Sequence, residues 1–109
     1  MVERRSTVLD GTYAGLSHAV RREMLERLSD EPLRVTDIAA PFDISLAAAS
    51  KHVRVLERAG LIERTVHGRD HVLSLRPEPL ETAAEWIDPY RRFWETKLDA
   101  LEDHLRRKR

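Results

Sequence analysis

The hydrophobic period changes partway along the chain, and this change constrains the fold more than any other feature. Up to about residue 60, apolar side chains recur every three or four positions, which is typical of amphipathic helices. The runs 61–66 and 71–75 are instead rich in β-prone residues, and the turn-forming residues 67–70 lie between them. The helical period then returns. We therefore predict a mainly α fold with one small β-hairpin inserted between helices.

Three helical segments are expected before the hairpin. The first begins with Ser17 as its N-cap, and a short second helix is capped by Thr36 and ends at Pro41. The third lies between an N-cap at Ser45 and a stop at Gly60, because glycine tolerates the left-handed backbone found just after helix ends. The order helix, short helix, turn, helix, hairpin is that of a winged helix-turn-helix domain.

A long helix is expected after Pro77 and Pro79. Its apolar residues repeat every seven positions in one row, which is Leu80, Ile87, Trp94 and Leu101. A neighbouring row of Ala84, Leu98 and Leu105 has the same spacing but is interrupted by Arg91. A heptad seam of this kind favours packing on another helix, such as one from a second chain. Pro89 inside the segment predicts a kink or a restart, because proline lacks the amide hydrogen of the helix ladder.

The composition narrows the class of protein. The chain has 109 residues, of which 41% are hydrophobic and 35% charged, so it suits one globular domain and not a disordered segment. It contains no cysteine, which excludes disulfides and thiolate metal sites. No apolar run approaches the ~20 residues of a membrane span, and the N-terminal residues lack the apolar core of a signal peptide. We therefore expect a cytoplasmic location.

The net charge of zero conceals an uneven distribution. With neutral histidines, residues 44–76 carry +3, whereas residues 1–43 carry −2 and residues 77–109 carry −1. The excess of cations thus coincides with the third helix and the hairpin. In helix-turn-helix proteins the second helix of the motif enters the major groove, and its first residues meet base edges. A basic segment at this place favours DNA as the partner.

The residue types at these positions suit contact with DNA. Ala47 and Ala48 have little steric bulk, so the start of the third helix can approach another surface closely. Ser50 and Lys51 add a hydroxyl group and a cation. Arg69 lies at the tip of the hairpin, where a cation commonly touches phosphate or the neighbouring minor groove.

Two segments of the chain resemble the ArsR family of bacterial winged-helix transcriptional repressors. They are LSHAVRREMLERL and VTDIAAPFDISLAAASKHVRVLERAGLIERTVHGRDHVLSL, and the resemblance covers roughly residues 12–76. It implies a homodimer whose first and last helices form the interface, and whose two recognition helices read a palindromic operator in double-stranded DNA. It also implies DNA contacts at Leu46, Ala47, Ser50 and Lys51 and a wing contact at Arg69. Many relatives carry a polar residue at position 46, and the leucine here favours apolar contact with a thymine methyl group.

These patterns combine into residue assignments. We divide the chain into a mobile N-terminal arm (1–11), a winged helix-turn-helix core (12–76) and a C-terminal dimerisation helix (77–109). The predicted DNA-binding residues are Ser45, Leu46, Ala47, Ala48, Ser50, Lys51, His52, Arg54, Arg64, His67 and Arg69. The predicted dimer-interface residues are Leu16, Val20, Leu80, Ala84, Ile87, Tyr90, Trp94, Leu98, Leu101 and Leu105. The predicted function is sequence-specific operator binding by a transcriptional repressor.

Metal sensing has weak support in the sequence. The tail EWIDPYRRFWETKLDALEDHL looks like the end of a cysteine-free branch of the family, and residues 34–38 lack the paired cysteines of metal-sensing relatives. Two groups could supply ligands, namely Asp99, Glu102, Asp103 and His104, and the pair His67 and His71. A single histidine on a charged helix is more often a surface residue, and histidines across a turn need not face each other. We therefore predict no metal and no cofactor, and the sequence identifies no small-molecule effector.

Two other classes of function were weighed against DNA binding. An enzyme is disfavoured, because the chain has no nucleophile elbow and no phosphate-binding glycine loop. The aromatic residues Trp86, Tyr90, Phe93 and Trp94 could line a ligand pocket, although such spacing more often marks a dimer core. The remaining alternative is a winged-helix adaptor that docks another protein on this aromatic tail and does not bind DNA.

Overall fold

The computed structural model describes residues 2–108, with side chains from residue 4 onward. Met1, the first residue of the predicted segment 1–11, and Arg109, the last residue of the predicted segment 77–109, lie outside the described residues. The elements follow in the order α1 (Val2–Leu16), α2 (Ala19–Asp30), β1 (Leu33–Arg34), α3 (Val35–Ala39), α4 (Leu46–Arg58), β2 (Ile62–His67), β3 (Asp70–Leu75) and α5 (Glu78–Arg107). None of these helices is long and apolar enough to cross a membrane. The prediction of a mainly α fold with a small hairpin is confirmed.

Helix α1 replaces the arm predicted over residues 1–11. Leu9 and Thr12 are buried, and the Thr12 hydroxyl group donates to the carbonyl oxygen of Val8 at 2.8 Å. The helix packs against α5 and also contacts α4. The local pattern of these residues is mixed and charged, so the sequence does not reveal a helix that is stabilised mainly by packing on distant elements.

The junction of α1 and α2 has a different cap from the predicted one. The N-cap of α2 is His18, whose Nδ1 accepts a hydrogen bond from the backbone N–H of Val20 at 3.1 Å. The Ser17 hydroxyl group instead donates to the carbonyl oxygen of Ala14 at 2.7 Å. Ser17 therefore serves the end of α1, and the prediction that it caps α2 is wrong because α1 was not anticipated.

The N-cap predicted for α3 is wrong, and the N-cap predicted for α4 is confirmed. Helix α3 begins at Val35 without a side-chain cap, so Thr36 lies inside the helix and is not its N-cap. Ser45 is confirmed as the N-cap of α4, because its Oγ accepts from the backbone N–H of Ala48 at 3.0 Å. Gly60 follows α4 with a φ of +73°, which is the predicted left-handed stop.

The three strands form one antiparallel sheet in the order β1-β3-β2. Strands β2 and β3 pair from Ile62 opposite Leu75 to His67 opposite Asp70, which leaves a two-residue turn. Gly68, the first residue of this turn, has a φ of +61°, as the type II′ hairpin turn requires. Strand β1 adds only two residues to β3, and a strand of this length has no periodicity by which the sequence could predict it.

The core lies where α2, α3, α4 and the sheet meet. Its fully buried apolar residues are Met24, Ile38, Ala49, Val53, Leu56, Leu61 and Leu73. Leu16, Val20 and Leu80 pack against this core and are half-buried. The structure shows that these three residues contact the core of their own chain and leave part of each side chain exposed, so their place at a dimer interface stays a prediction.

Helix α5 is continuous over 30 residues and contains Pro89, so the predicted restart does not occur. The Asp88 carboxylate accepts hydrogen bonds from Arg91 at 2.8 Å and from Arg92 at 2.6 Å. The hydrogen bond from Arg92 is the main reason why the pKa of Asp88 lies below its ordinary value. Such pairs, three and four residues apart, support the helix across the position where proline removes a backbone donor.

Two glycine-to-alanine substitutions separate backbone strain from helix propensity. At Gly60 φ is +73° and the nearest atom to an added Cβ lies 3.8 Å away, so Gly60→Ala is expected to lower the free energy of unfolding through strain alone. The expected loss is about 1–2 kcal/mol. At Gly11 an added Cβ would lie 3.6 Å from the Cα of Ala59, an ordinary contact. Gly11→Ala is expected to raise stability by up to about 1 kcal/mol, because alanine favours a helix.

Urea denaturation measures both effects. An unchanged free energy of unfolding for Gly11→Ala would contradict a packed α1 and would support the prediction of a mobile arm over residues 1–11. An unchanged value for Gly60→Ala would contradict the left-handed stop after α4.

Candidate nucleic-acid interface

Helix α4 buries one face and leaves its other face bare. Ala49, Val53 and Leu56 turn into the core, and the only acidic residue of the helix is Glu57, near its end. Among the predicted DNA-binding residues of this helix and its cap, Ser45, Leu46, Ala47, Lys51 and Arg54 are exposed, and Ala48 and Ser50 are half-buried. This exposed face, which we call the bare face, therefore combines small side chains with the cations Lys51 and Arg54. The first turns of the helix contain no carboxylate that could neutralise these two charges.

Leu46 is the most unusual residue of this face, because a large apolar side chain is 57% exposed at the first turn of α4. The core does not cover it, and it lies beside Ala47 at the end of the helix that Ser45 caps. Such a position gives the side chain no stabilising burial within the chain. Contact with an apolar group on a partner, such as a thymine methyl group, would supply that burial.

His52 is turned away from the bare face. Its Nδ1 accepts a hydrogen bond from Nη1 of Arg21 at 3.0 Å, and its ring centroid lies 4.3 Å from that of His18. Burial first, and then the nearby charges of His18 and Arg21, lower the pKa of His52 from its ordinary value of 6.5. The structure therefore joins His52 to α2, and the geometry does not support its predicted contact with DNA.

The wing, which we define as β2, β3 and their turn, carries exposed residues at its tip. His67, Gly68, Arg69 and Asp70 are all exposed. Within residues 4–108, the Arg69 guanidinium group has no hydrogen-bond or ion-pair partner. The predicted wing residues His67 and Arg69 are thus free to contact a partner.

Arg64 has a structural partner in place of the predicted phosphate. Its guanidinium group binds Glu57 through both carboxylate oxygens, at 2.7 and 3.2 Å, and Nη1 lies 2.9 Å from Nδ1 of His71. The hydrogen bond with Glu57 is the largest cause of a raised pKa for Arg64. This two-pronged ion pair holds the wing against α4 and neutralises the arginine, so Arg64 serves the interface by positioning the wing.

One basic residue near the wing was missed by the sequence analysis. Arg34, in β1, lies opposite Val72 of β3, and its Nη2 is 3.8 Å from a carboxylate oxygen of Asp70. Together with Val35, Thr36, Arg64, Arg69, Asp70 and His71 it lines an open cleft beside the wing. The pairing of β1 with β3 places Arg34 beside the wing, and no local pattern in the sequence predicts that pairing.

The second predicted surface is the apolar row of α5. Ala84, Ile87, Tyr90, Trp94, Leu98, Leu101 and Leu105 are all exposed, in contrast to the half-buried Leu16, Val20 and Leu80. Trp86 is partly covered, since its ring meets that of Tyr13 of α1 edge-on at 6.4 Å. The start of α5 thus packs on its own chain, and the rest of its apolar seam is exposed.

The carboxylates and histidine near the end of α5 are exposed, and Glu102 is paired with Arg106. Among the described residues, no group of three or more histidine, aspartate or glutamate side chains is arranged to hold a metal ion. His71 is bound to Arg64, whereas His67 lies at the exposed tip of the wing.

Comparisons with known proteins match this arrangement in both sequence and fold. A family model described as a helix-turn-helix domain matches residues 16–65. The chain is 33% identical over 89 residues to the HTH-type transcriptional regulator Rv2034 of Mycobacterium tuberculosis, with 82% of this chain and 80% of that protein covered. It is 27% identical over 79 residues to the transcriptional repressor SdpR of Bacillus subtilis, with 72% and 88% covered.

The fold is similar to solved structures of the same kind. The crystal structure of an ArsR family transcriptional regulator superposes with a TM-score of 0.74 at 33% sequence identity, covering 81% of this chain and 91% of that chain. The crystal structure of a possible transcriptional regulator for arsenical resistance superposes with a TM-score of 0.65 at 32% identity, covering 81% and 88%. The chain belongs to the ArsR family of DNA-binding, winged helix-turn-helix transcriptional regulators.

Proposed function

We propose that the chain is a homodimeric repressor that occupies a palindromic operator in double-stranded DNA. The observation that carries this proposal is the bare face of α4, where small side chains adjoin Lys51 and Arg54 and where the exposed Leu46 lacks a partner. Occupancy of the operator would block transcription directly, without a cofactor and without catalysis. Because the operator lies in the bacterial chromosome, the proposed site of action is the cytoplasm.

The residues of the interface divide into two roles. Ala47, Ala48 and Ser50 approach base edges in the major groove, and Leu46 meets a thymine methyl group. The cations Lys51, Arg54 and Arg69 contact phosphates, which fixes the register of the protein on the duplex. Ser45 has a structural role, because it caps α4, and it also lies at the end of the helix that enters the groove.

The proposal of a dimer rests on the uncovered length of α5. A helix of 30 residues is about 45 Å long, and the residues that pack on their own chain lie near its beginning. Trp94 is 64% exposed and Leu98 57% exposed, and Leu101 and Leu105 continue the same seam. A second copy of α5 would bury this row with the seven-residue spacing that paired helices use.

A two-fold dimer explains why the operator would be palindromic. Two copies related by a two-fold axis present two α4 helices in opposite directions along the duplex. Each helix then reads one half-site, and the half-sites lie about one helical turn of DNA apart.

The same exposed aromatic residues favour one alternative function. Trp86, Tyr90, Phe93 and Trp94 could dock another protein, in which case the chain would be a winged-helix adaptor. Selection of bound duplexes from a random DNA pool distinguishes the two functions. Enrichment of a palindromic sequence supports the repressor, whereas no enrichment above a control protein contradicts it.

Removal of a phosphate-contacting cation should weaken binding and reduce its dependence on salt. Each lost contact lowers the slope of log affinity against log salt by about 0.9, so a substitution in both copies of a dimer lowers it by about twice that amount. We expect this result for Lys51→Ala and for Arg69→Ala, measured by fluorescence anisotropy with the selected duplex. Lys108→Ala is the matched control, because it removes an exposed cation at the far end of α5. An unchanged slope for both interface variants would contradict the assignment.

A charge placed in the seam of α5 should dissociate the dimer. Ile87→Asp and Leu98→Asp each put a carboxylate where the proposed interface excludes water, so both variants are expected to sediment as monomers and to lose operator binding. Val66→Asp changes another exposed apolar residue, in the wing, and is expected to remain dimeric. An intact dimer for both seam variants would contradict this interface.

A further inference from the structure

A single guanidinium group joins the end of α1 to the recognition helix α4. Arg21, in α2, donates from Nε to the carbonyl oxygen of Gly15 at 3.0 Å and from Nη2 to that of Ala14 at 2.8 Å. Its remaining nitrogen, Nη1, lies 3.0 Å from Nδ1 of His52 in α4. The last carbonyl groups of a helix lack partners within the helix, so Arg21 satisfies the end of α1 and holds α4 at the same time.

The contact with Arg21 requires a His52 ring without a proton on Nδ1, because an arginine side chain only donates hydrogen bonds. Protonation of Nδ1 would turn this acceptor into a donor that faces another donor, and the hydrogen bond would then be lost. His18 contributes by position, because its Nδ1 accepts from the backbone N–H of Val20 as the N-cap of α2 and its ring lies beside that of His52.

The surroundings of the two rings offer no compensation for a positive charge. The His18 and His52 rings lie 4.3 Å apart, and Arg21 of α2 is in direct contact with His52. Helix α1 contributes carbonyl groups to Arg21, and the titratable residues that adjoin His52 in the sequence of α4, Lys51 and Arg54, are exposed cations. Among residues 4–108, no carboxylate is paired with either histidine. The N-terminus of α2 also disfavours a cation, because the helix dipole is positive there.

We propose that His18, Arg21 and His52, which we call the arginine–histidine clamp, position the recognition helix and release it on protonation, so that operator binding weakens below neutral pH. The part of the proposal that concerns the operator rests on the proposed function. The part that concerns the position of α4 does not, because the clamp lies within one chain and its effect on folding can be measured without DNA.

The direction of the pH dependence follows from the state of His52. Its pKa is lower in the folded protein than the ordinary value of 6.5, first because of burial and then because of His18 and Arg21. The unfolded chain therefore binds the proton more readily. The stabilising contribution of the clamp is complete above pH 6.5 and is lost as the pH falls through the lower pKa of the folded state.

This direction is opposite to the usual effect of histidines at a DNA interface. A histidine near phosphates gains a charge on acidification and strengthens binding. Loss of affinity on acidification would therefore point to a histidine that acts through the position of α4.

His52→Asn is the variant that tests the clamp. The asparagine oxygen can accept from Arg21 near the place of Nδ1, but the amide does not titrate. His104→Asn is the matched control, since it removes an exposed imidazole near the end of α5, outside the clamp and outside the predicted DNA-binding residues.

The first measurement is urea unfolding at about pH 7.5 and about pH 5.5. The wild type and His104→Asn are expected to lose more stability on acidification than His52→Asn. Equal losses in all three proteins would overturn the proposal. Should His52→Asn fail to fold, nuclear magnetic resonance titration of the wild type decides instead: a pKa of His52 below 6.5 supports the clamp, and a pKa above it overturns it.

The second measurement is the affinity for the selected duplex over the same range. Each linked proton changes affinity by at most about tenfold per pH unit, and the lowered pKa of His52 shortens the range over which its proton is linked. The wild type and His104→Asn are therefore expected to weaken by less than about tenfold in total, while His52→Asn stays nearly constant. Parallel profiles for the wild type and His52→Asn would overturn the proposal. If no protein binds any duplex at about pH 7.5, the proposed function fails, and the unfolding experiment alone decides on the clamp.

Discussion

The burial of one face of α4 is the constraint on which the rest of the structure depends. Ala49, Val53 and Leu56 are fully buried, and they pack where α2, α3 and the sheet meet. Because side chains on one face of a helix repeat every three or four residues, fixing these three also fixes which side chains point away from the core. The exposed face that carries Ala47, Lys51 and Arg54 is therefore a consequence of the core. The functional surface needs no separate folding signal.

The contacts around α4 set its orientation, which hydrophobic burial alone does not. The Ser45 cap defines where the helix begins, and the Glu57–Arg64 ion pair ties its last turn to the wing. Arg21 holds its middle through His52. Apolar contacts are not directional, whereas hydrogen bonds and two-pronged ion pairs are. These polar contacts thus give the recognition helix a defined angle to the frame, which base readout requires.

The sequence predicts what depends on local patterns and misses what depends on distant pairing. The limits of α4, the Ser45 cap, the Gly60 stop and the hairpin follow from periodicity and turn chemistry, and all are confirmed. Helix α1 and strand β1 were missed, because each is stabilised by elements far away in the chain.

The candidate site shows the same division. Exposure of Ala47 and Lys51 could be predicted from the helical period of α4. That period places Leu46 on the buried stripe with Ala49, Val53 and Leu56, and this prediction is wrong, because Leu46 lies in the first turn of the helix, where the core does not cover it. The partners of His52 and Arg64 could not be predicted, because Arg21 is 31 positions from His52 and the Glu57 contact requires the wing to fold back on α4. A basic side chain in a basic segment is predicted to face solvent or DNA unless the fold supplies a carboxylate for it.

Ion pairs within the chain reduce the number of cations in residues 44–76 that remain to attract phosphate. Residues 44–76 carry +3, a sum that already subtracts Glu57, to which Arg64 is bound. Arg76 also lies 3.9 Å from Glu78, which is outside this segment, so that cation is partly neutralised as well. The cations left to attract phosphate are then few, among them Lys51, Arg54 and Arg69. Because non-specific binding to DNA is almost wholly electrostatic, few free cations imply weak non-specific binding. Under the proposed function, discrimination between sequences then comes mainly from the uncharged first turn of α4, where Leu46 and Ala47 are exposed.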